Sequence, residues 1–173
     1  MKKLVKRFRL DLNRLEGSLF SKMLNISFWI ILNYRISNLF YYNNMFVISK
    51  IFWMINRIVF TVDIDPGAKL AGGLKLVHPM CIVVGREVVS KGKLTLYQST
   101  TLGGSNNKET FHDDILVKQP YIYDNVIIYT ASVVIGPIII QENAIISANS
   151  TITKNVPKNA TMYGVNKSKL QNA

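Results

Sequence analysis

Aliphatic side chains recur at every sixth residue through the last two thirds of this chain. The first series is Ile64, Leu70, Leu76, Ile82, Val88 and Leu94, and the second is Ile122, Ile128, Val134, Ile140, Ile146 and Ile152. A period of six fits neither a helix face, which repeats every 3.6 residues, nor a plain strand, which repeats every two. It is typical of a parallel β-helix, in which each hexad makes one short strand and one corner. The pattern predicts an all-β prism over residues 63–165, with any site on its outside or in a cleft between prisms.

The six-residue period also predicts how the coils stack. Three hexads close one coil of the prism, so residues three hexads apart lie roughly one strand spacing apart, ~4.8 Å. The period breaks between Thr100 and Ile122, because six does not divide their separation in sequence. The break predicts an extruded polar loop over residues 105–118.

The region 1–62 is basic, strongly apolar and helical in pattern. It holds ten Lys or Arg against two acids, Asp11 and Glu16, so it carries +8 of the net charge of +11. Its longest uncharged runs, 23–34 and 36–49, are shorter than the ~18–20 residues that span a bilayer. Two interpretations stay open. The helices pack on each other, on the prism or on a partner subunit, or the region lies on an anionic membrane surface.

Composition narrows the function classes further. The pI of about 9.8 is typical of nucleic-acid binding, but the positive charge is interleaved with bulky apolar residues and no nucleic-acid motif is present, so this class is disfavoured. A single cysteine, Cys81, excludes an internal disulfide and suits a reducing compartment. No signal peptide is recognisable, so we expect a cytoplasmic protein, peripheral to the inner face of the membrane if the first region binds lipid. Residues 166–173 are expected to form a loose C-terminal tail.

The candidate chemistry centres on His78, the one histidine between Asp63 and Gly104. His78 follows the inward Leu76 by two residues, so it should point outward near a corner. Asp63 precedes it by slightly less than one coil, which can place the carboxylate on the neighbouring coil within reach of the imidazole. A histidine oriented by an aspartate is a common general base for a hydroxyl nucleophile. A histidine that is only a surface residue is the alternative.

Several segments around this pair match one family in order and spacing. They are Asp63-Ile-Asp-Pro-Gly-Ala-Lys, His78, Ile82-Val-Val-Gly, Leu96-Tyr-Gln-Ser-Thr-Thr-Leu-Gly-Gly, Ile146-Ser-Ala-Asn-Ser-Thr-Ile and Val156-Pro, with Gly164-Val after them. Over about residues 62–170 the chain thus resembles the serine acetyltransferase branch of the hexapeptide acyltransferases. The resemblance implies a left-handed parallel β-helix, a homotrimer with sites between subunits, and acetyl transfer from acetyl-CoA to a hydroxyl. It also implies that His78 is the catalytic base and Asp63 its orienting acid.

Two positions depart from the pattern of the serine-specific enzymes. Val77 stands where they carry an Asp for the amino group of serine, and Lys118-Gln119-Pro120 stands where they carry Arg-His-Pro for the carboxylate. A buried ammonium without a carboxylate partner is costly, so these changes argue against serine as the acceptor. We therefore expect a saccharide acceptor, which the sequence leaves open as monomeric, polymeric or lipid-linked, because the chain also resembles the O-acetyltransferases of bacterial surface polysaccharide synthesis. Serine O-acetylation and a catalytically inactive scaffold are the alternatives.

The same resemblance predicts where the substrates lie. Acetyl-CoA should run along a groove between prisms, lined by Gly103 and Gly104 near the oxyanion, Thr130, Ala131 and Ala148 along the pantetheine, and Lys154 and Lys169 near the phosphates. The candidate acceptor contacts are Tyr97, Gln98, His112, Lys118 and Gln119. The predicted mechanism requires no metal.

Overall fold

Four α-helices form the first part of the chain. The computed structural model describes residues 2–165. Helix α1 spans Lys2–Leu12, α2 spans Leu19–Met23, α3 spans Ile26–Tyr42 and α4 spans Phe46–Val59. Asn25 caps α3, because its side chain accepts a hydrogen bond from the backbone N–H of Ser27. Within the described residues, no helix is both long enough and apolar enough to cross a membrane.

Short strands follow from Asp63 onward and form a triangular prism. They are β1 Asp63–Ile64, β2 Leu74–Val77, β3 Val83–Val84, β4 Val89–Ser90, β5 Leu94–Tyr97, β6 Thr101–Gly103, β7 Thr110–His112, β8 Ile115–Val117, β9 Tyr121–Ile122, β10 Val126–Ile128, β11 Val133–Ile135, β12 Ile139–Ile140, β13 Ile145–Ile146, β14 Thr151–Ile152 and β15 Thr161–Met162. Three parallel sheets make the three faces, in the orders β1-β3-β6-β11-β14, β2-β5-β10-β13-β15 and β4-β9-β12. The predicted parallel β-helix is therefore present.

The first coil is wider than the period of six predicts. Ile128 pairs with Ile146, exactly three hexads later, as the period requires. Ile64 would pair with Ile82 by the same rule, but it pairs with Val84, so this coil holds two additional residues. They lie in the corner at 78–81. A strand of the prism can carry two inward aliphatic residues, two positions apart. The period of six therefore continues through this corner, because the aliphatic series changes from one inward position to the other. For this reason the aliphatic pattern alone does not reveal the wider corner.

Helices α1 and α3 pack on the open end of the prism. The hydroxyl of Tyr34 donates to the carbonyl of Ala68 at 2.8 Å, and Arg35 donates to the carbonyl of Leu70 at 2.7 Å. Arg35 also forms a buried ion pair of 2.8 Å with Asp11. These bonds satisfy backbone carbonyls of the first coil, which has no preceding coil to pair with.

One hydrophobic core runs through the prism and into the helices. Ile30 and Tyr34 of α3 belong to the same buried cluster as Ile64 and Leu70 of the first coil. The division of the chain at residue 62 into two domains stays a prediction, and the predicted tail at 166–173 lies outside the described residues. The extruded segment 105–118 contains β7 and β8, which pair as an antiparallel hairpin.

Candidate active site

His78 lies at the end of β2, in the wide corner of the first coil. Its backbone has φ of 49°, and the residue is exposed. Positive φ recurs at corners of this prism, as at Ser99, Ala131 and Asn149, so this backbone angle marks a turn and does not by itself indicate a function. This corner holds two residues more than the corresponding corner at 98–100 of the next coil, and His78 is exposed there. The structure thus presents His78 outward, as the sequence predicts.

Asp63 is held by helix α4. The indole Nε1 of Trp53 donates to Oδ1 of Asp63 at 2.8 Å, and Nε of Arg57 lies 3.5 Å from Oδ2. No hydrogen bond or ion pair joins Asp63 to His78 within residues 2–165, so the predicted contact between them is absent from the single chain. Each carboxylate oxygen accepts more than one hydrogen bond, so the two contacts leave accepting capacity on Asp63. The roles of both residues stay predictions.

A cavity of about 490 Å³ opens beside the imidazole. His78 and Val77 line it from the prism, and Arg14 and Glu16 line it from the segment after α1. Lys75 of β2 also faces it. The cavity therefore combines a histidine, a carboxylate and two cations. Sequence reasoning missed Glu16 and Arg14, because only the packing of α1 on the prism brings this segment to His78, and it also missed Lys75, which lies three residues before His78 on β2.

Arg14 is fixed in place at the wall of this cavity. Its guanidinium donates to the carbonyl of Gly73 at 2.9 Å and to Oγ1 of Thr95 at 3.0 Å. Partial burial lowers the pKa of Arg14 from its ordinary value, and the nearby carboxylates of Asp124 and Asp11 oppose that change. Guanidinium groups carry five N–H donors, so Arg14 keeps donors free for an anionic ligand group.

The residues predicted to contact acetyl-CoA lie on the upper coils. Ile128 pairs with Ile146, which sets Thr130 and Ala148 at matching positions of neighbouring coils. The corner at Thr130 is tied to the coil below, because Ala131 N–H donates to the carbonyl of Gln98 at 3.0 Å. These contacts are structural, and a role in binding stays a prediction.

Glycines 103 and 104 end β6 and begin the loop that precedes the hairpin. Gly104 packs against Gln119, whose amide nitrogen would lie 3.4 Å from a β-carbon added at the glycine. Lys154 is exposed, and the predicted Lys169 lies outside the described residues. The assignment of Gly103, Gly104, Lys154 and Lys169 to acetyl-CoA therefore remains a prediction.

Tyr97 and Gln98 lie one coil above His78. The pairing of Val77 with Tyr97 places Gln98 directly after the strand that neighbours β2, at the same corner as His78. The ring of Tyr97 packs on that of Tyr129 with centroids 4.7 Å apart. Oε1 of Gln98 is buried and has no hydrogen-bond partner among the described residues. Both residues are therefore close to His78 in the fold, although neither lines the cavity beside it.

The remaining predicted acceptor residues lie elsewhere in the single chain. His112, on the hairpin, lies 3.4 Å from Oδ2 of Asp113. Nζ of Lys118 lies 3.6 Å from Oε2 of Glu109. Lys118 and Gln119 line a different cavity, of about 370 Å³, with Tyr42 and Arg86. None of His112, Lys118 and Gln119 lines the cavity beside His78.

Comparisons with known proteins identify the relatives of the chain. No protein-family model matches it. The chain is 31% identical over 133 residues to a serine acetyltransferase of Staphylococcus epidermidis, a match that covers 77% of this chain and 60% of the relative. It is 29% identical over 132 residues to the serine acetyltransferase of Synechococcus elongatus, with 76% of this chain and 52% of the relative covered. The chain thus spans only half to three fifths of the length of these relatives.

The solved structures that superpose on this chain include serine acetyltransferases as well. The serine acetyltransferase of Neisseria gonorrhoeae in complex with serine superposes with a TM-score of 0.82 at 28% identity, covering 98% of this chain and 70% of that one. A serine acetyltransferase in complex with cysteine superposes with a TM-score of 0.83 at 26% identity, covering 95% and 69%. The prism is therefore a left-handed parallel β-helix, as predicted.

The predicted saccharide acceptor is wrong. The matching proteins are named serine acetyltransferases, and one of the matching structures was solved with serine. The prediction rested on Val77 and on Lys118-Gln119-Pro120, but the cavity beside Val77 is also lined by Glu16, an acid from a distant part of the chain. The comparisons likewise name no membrane. By sequence and by fold, the chain is thus similar to the serine acetyltransferases and shares their left-handed hexapeptide-repeat prism.

Proposed function

We propose that this protein transfers the acetyl group of acetyl-CoA to the hydroxyl of L-serine, which forms O-acetylserine and CoA. The observation that carries the proposal is the cavity in which His78 lies with the carboxylate of Glu16 and the cations of Arg14 and Lys75. Serine presents a hydroxyl, an ammonium and a carboxylate. The cavity offers a partner of suitable charge or basicity for each of the three groups.

Glu16 is the proposed partner of the serine ammonium. It stands in the cavity with Val77, the position at which the sequence lacks the expected acid. A carboxylate is needed there because an ammonium taken from water without a partner carries a large desolvation penalty. The serine carboxylate is left to the free donors of Arg14 or to Lys75, and a guanidinium binds a carboxylate with two parallel hydrogen bonds.

His78 is the proposed general base. Its imidazole takes the proton of the serine hydroxyl as the oxygen attacks the thioester carbonyl, so that a C–O bond forms and a tetrahedral intermediate appears. A backbone N–H at Gly103 or Gly104 donates to the oxyanion. The C–S bond then breaks, and the thiolate of CoA takes the proton from the imidazolium. Asp63 is held by Trp53 and Arg57 and forms no hydrogen bond with His78 in the single chain, so its proposed contribution is the effect of its negative charge, which favours the imidazolium.

Acetyl-CoA is the proposed acetyl donor, and the proposed assembly is a homotrimer. The stacked corners at Thr130, Ala131 and Ala148 would line the pantetheine, and Lys154 would meet a phosphate. Lys118 and Gln119 lie away from the cavity of their own chain, so they reach an acceptor only across a subunit boundary. A trimer with sites between neighbouring prisms would allow this.

The experiment that tests the function is thiol release from acetyl-CoA in the presence of L-serine. We expect release from the unmodified protein and none from His78→Ala. Glu16→Gln should raise KM for serine by about tenfold or more, since a hydrogen bond to a charged group contributes about 1.5–3 kcal/mol. Its KM for acetyl-CoA should not change. Glu142→Gln is the matched control, because Glu142 pairs with Lys158 on the surface at 3.8 Å. Absence of serine-dependent release from the unmodified protein would contradict the proposal.

A further inference from the structure

The outward face of helix α4 is an exposed apolar stripe. It consists of Val47, Ile51, Met54 and Ile58, which are 77%, 53%, 49% and 73% exposed. Their spacing of four, three and four residues aligns them on one side of the helix. The stripe therefore runs along nearly the whole length of α4 and faces away from the protein.

The opposite face of α4 is occupied by α3. The hydroxyl of Ser37 donates to the carbonyl of Ser49 at 2.7 Å, and the amide of Asn56 donates to the carbonyl of Ile30 at 3.0 Å. Ser49 and Asn56 are both buried. These polar bonds fix how the helix is rotated about its axis, and the stripe is consequently a defined surface of the folded chain.

Exposed apolar residues also occur at the start of α3, close to the end of α4. The bond between Asn56 and Ile30 sets the C-terminal end of α4 beside the N-terminal end of α3. There Ile26 and Trp29 are 49% and 42% exposed. An indole at the edge of an apolar face is suited to a boundary between water and lipid, because one part of the ring is apolar and its N–H is polar.

Helices α2, α3 and α4 carry positive charges and no negative ones. The segment 17–62 contains no Asp or Glu, whereas Lys50 and Arg57 are exposed cations and Lys22 is a half-buried one. Lys50 lies three residues after Val47 and four before Met54, so it borders the stripe. A second copy docked face to face would bring these cations together without an acid from the same helices to pair with them. The complementary surface is apolar and negatively charged.

We propose that the α4 stripe is a docking surface for an anionic lipid bilayer, on which the helix lies parallel to the membrane plane. A helix of 14 residues is about 21 Å long, and interfacial helices bury their apolar face about 5–10 Å into the boundary between headgroups and acyl chains. Lys50 and Lys22 then meet the phosphates of the headgroups. This inference does not rest on the proposed acetyl transfer.

Co-sedimentation of the full chain with vesicles tests the inference. We expect binding to vesicles of phosphatidylcholine mixed with phosphatidylglycerol, weak binding to phosphatidylcholine alone, and release by salt. Lys50→Gln should weaken binding about fivefold, which is about 1 kcal/mol for one cation near the surface. Ile51→Glu should weaken it more than tenfold. Phe111→Glu, on the hairpin and 72% exposed, is the matched control and should bind as the unmodified protein does.

Three results would overturn the inference. The first is no binding of the unmodified protein to the anionic vesicles. The second is equal loss of binding in Ile51→Glu and Phe111→Glu, which would mean that any added charge acts alike. The third is that Ile51→Glu, without vesicles, converts a larger assembly into single chains in sedimentation velocity. The stripe would then be a contact between copies of this protein.

Discussion

The indole Nε1 of Trp53 donates a hydrogen bond of 2.8 Å to Oδ1 of Asp63. Arg57, one turn later on α4, stacks on that indole with its guanidinium carbon 4.7 Å from the ring centroid, and its Nε lies 3.5 Å from Oδ2 of Asp63. The helical region thus orients the acid that we propose to act with His78. Removal of this contact should therefore lower kcat.

Replacement of Trp53 by Phe keeps an aromatic ring and removes the N–H donor. Because a hydrogen bond of this kind contributes about 1 kcal/mol, we expect kcat for serine acetylation to fall about three- to tenfold, with KM for both substrates unchanged. Trp29→Phe is the matched control, since Trp29 also donates from Nε1, to the carbonyl of Met23 at 2.9 Å. Equal kcat values in the two variants would remove Asp63 from the proposed mechanism.

The buried ion pair of Arg35 with Asp11 should dominate the docking of the helices. Asp11 also accepts from the backbone N–H groups of Gly73 and Leu74, each at 2.8 Å. Asp11→Ala leaves Arg35 buried and unpaired, so we expect a loss of about 3–5 kcal/mol in the free energy of unfolding, measured by urea denaturation.

An exposed ion pair provides the comparison for that variant. Arg86 lies 3.3 Å from Asp65, and its side chain is 64% exposed. Surface pairs contribute about 0–1 kcal/mol because water screens them, so Arg86→Gln should change the unfolding free energy by that amount at most. If Asp11→Ala were no more harmful than Arg86→Gln, the helices would not be anchored through the ion pair.

Tyr34 should make the protein unstable at high pH. Burial raises the pKa of Tyr34 to about 12 from an ordinary value of 10.0, and the charge of Arg35 opposes part of that rise. The folded protein therefore holds this proton more tightly than the unfolded chain. The stabilisation is fully present below about pH 10 and is lost as pH rises to about 12, by roughly 2–3 kcal/mol.

Denaturation at several pH values above 10 measures this effect. Tyr34→Phe lowers stability at neutral pH, because its bond to Ala68 is lost, but its unfolding free energy should decline less steeply above pH 10. Tyr163→Phe is the control, since Tyr163 is 79% exposed. Identical pH dependence in Tyr34→Phe and the unmodified protein would show that other groups cause the alkaline instability.

A carboxylate at position 77 should substitute for Glu16. Val77 and Glu16 line the same cavity beside His78. We expect Val77→Asp, in the Glu16→Gln background, to restore most of the affinity for serine that Glu16→Gln loses. The readout is KM for serine, with KM for acetyl-CoA as the internal control. Failure of the recovery, with a folded double variant, would argue that Glu16 acts on something other than the ammonium.

The prism and its candidate base were predictable because both depend on local spacing. The period of six requires only that one aliphatic residue in each hexad turn inward, and twelve positions carry it. His78 follows an inward leucine by two residues, so its outward direction follows from the local geometry of strand and corner. The sequence could not show that the corner at 78–81 holds two additional residues, because both inward positions of a strand can be aliphatic.

The acceptor was predicted wrongly because residues that line the cavity beside His78 come from distant parts of the sequence. Val77 and Gln119 were judged against one local motif, whereas the acid that lines the same cavity as Val77 is Glu16, in the segment between the first two helices. Nothing in the spacing around Glu16 indicates a site. It is one of only two acids in the region 1–62, and that scarcity was the only available signal.

The sequence alone determined the hexapeptide prism, the outward histidine and the basic, apolar character of the first region, since each depends on which residues stand at regular intervals along the chain. The tertiary structure decided which charges surround the histidine, which residues hold Asp63 and which face of α4 stays exposed. These depend on the docking of α1, α3 and α4, and docking is set by buried polar bonds such as that of Arg35 with Asp11. Such bonds join residues whose separation in sequence follows no period.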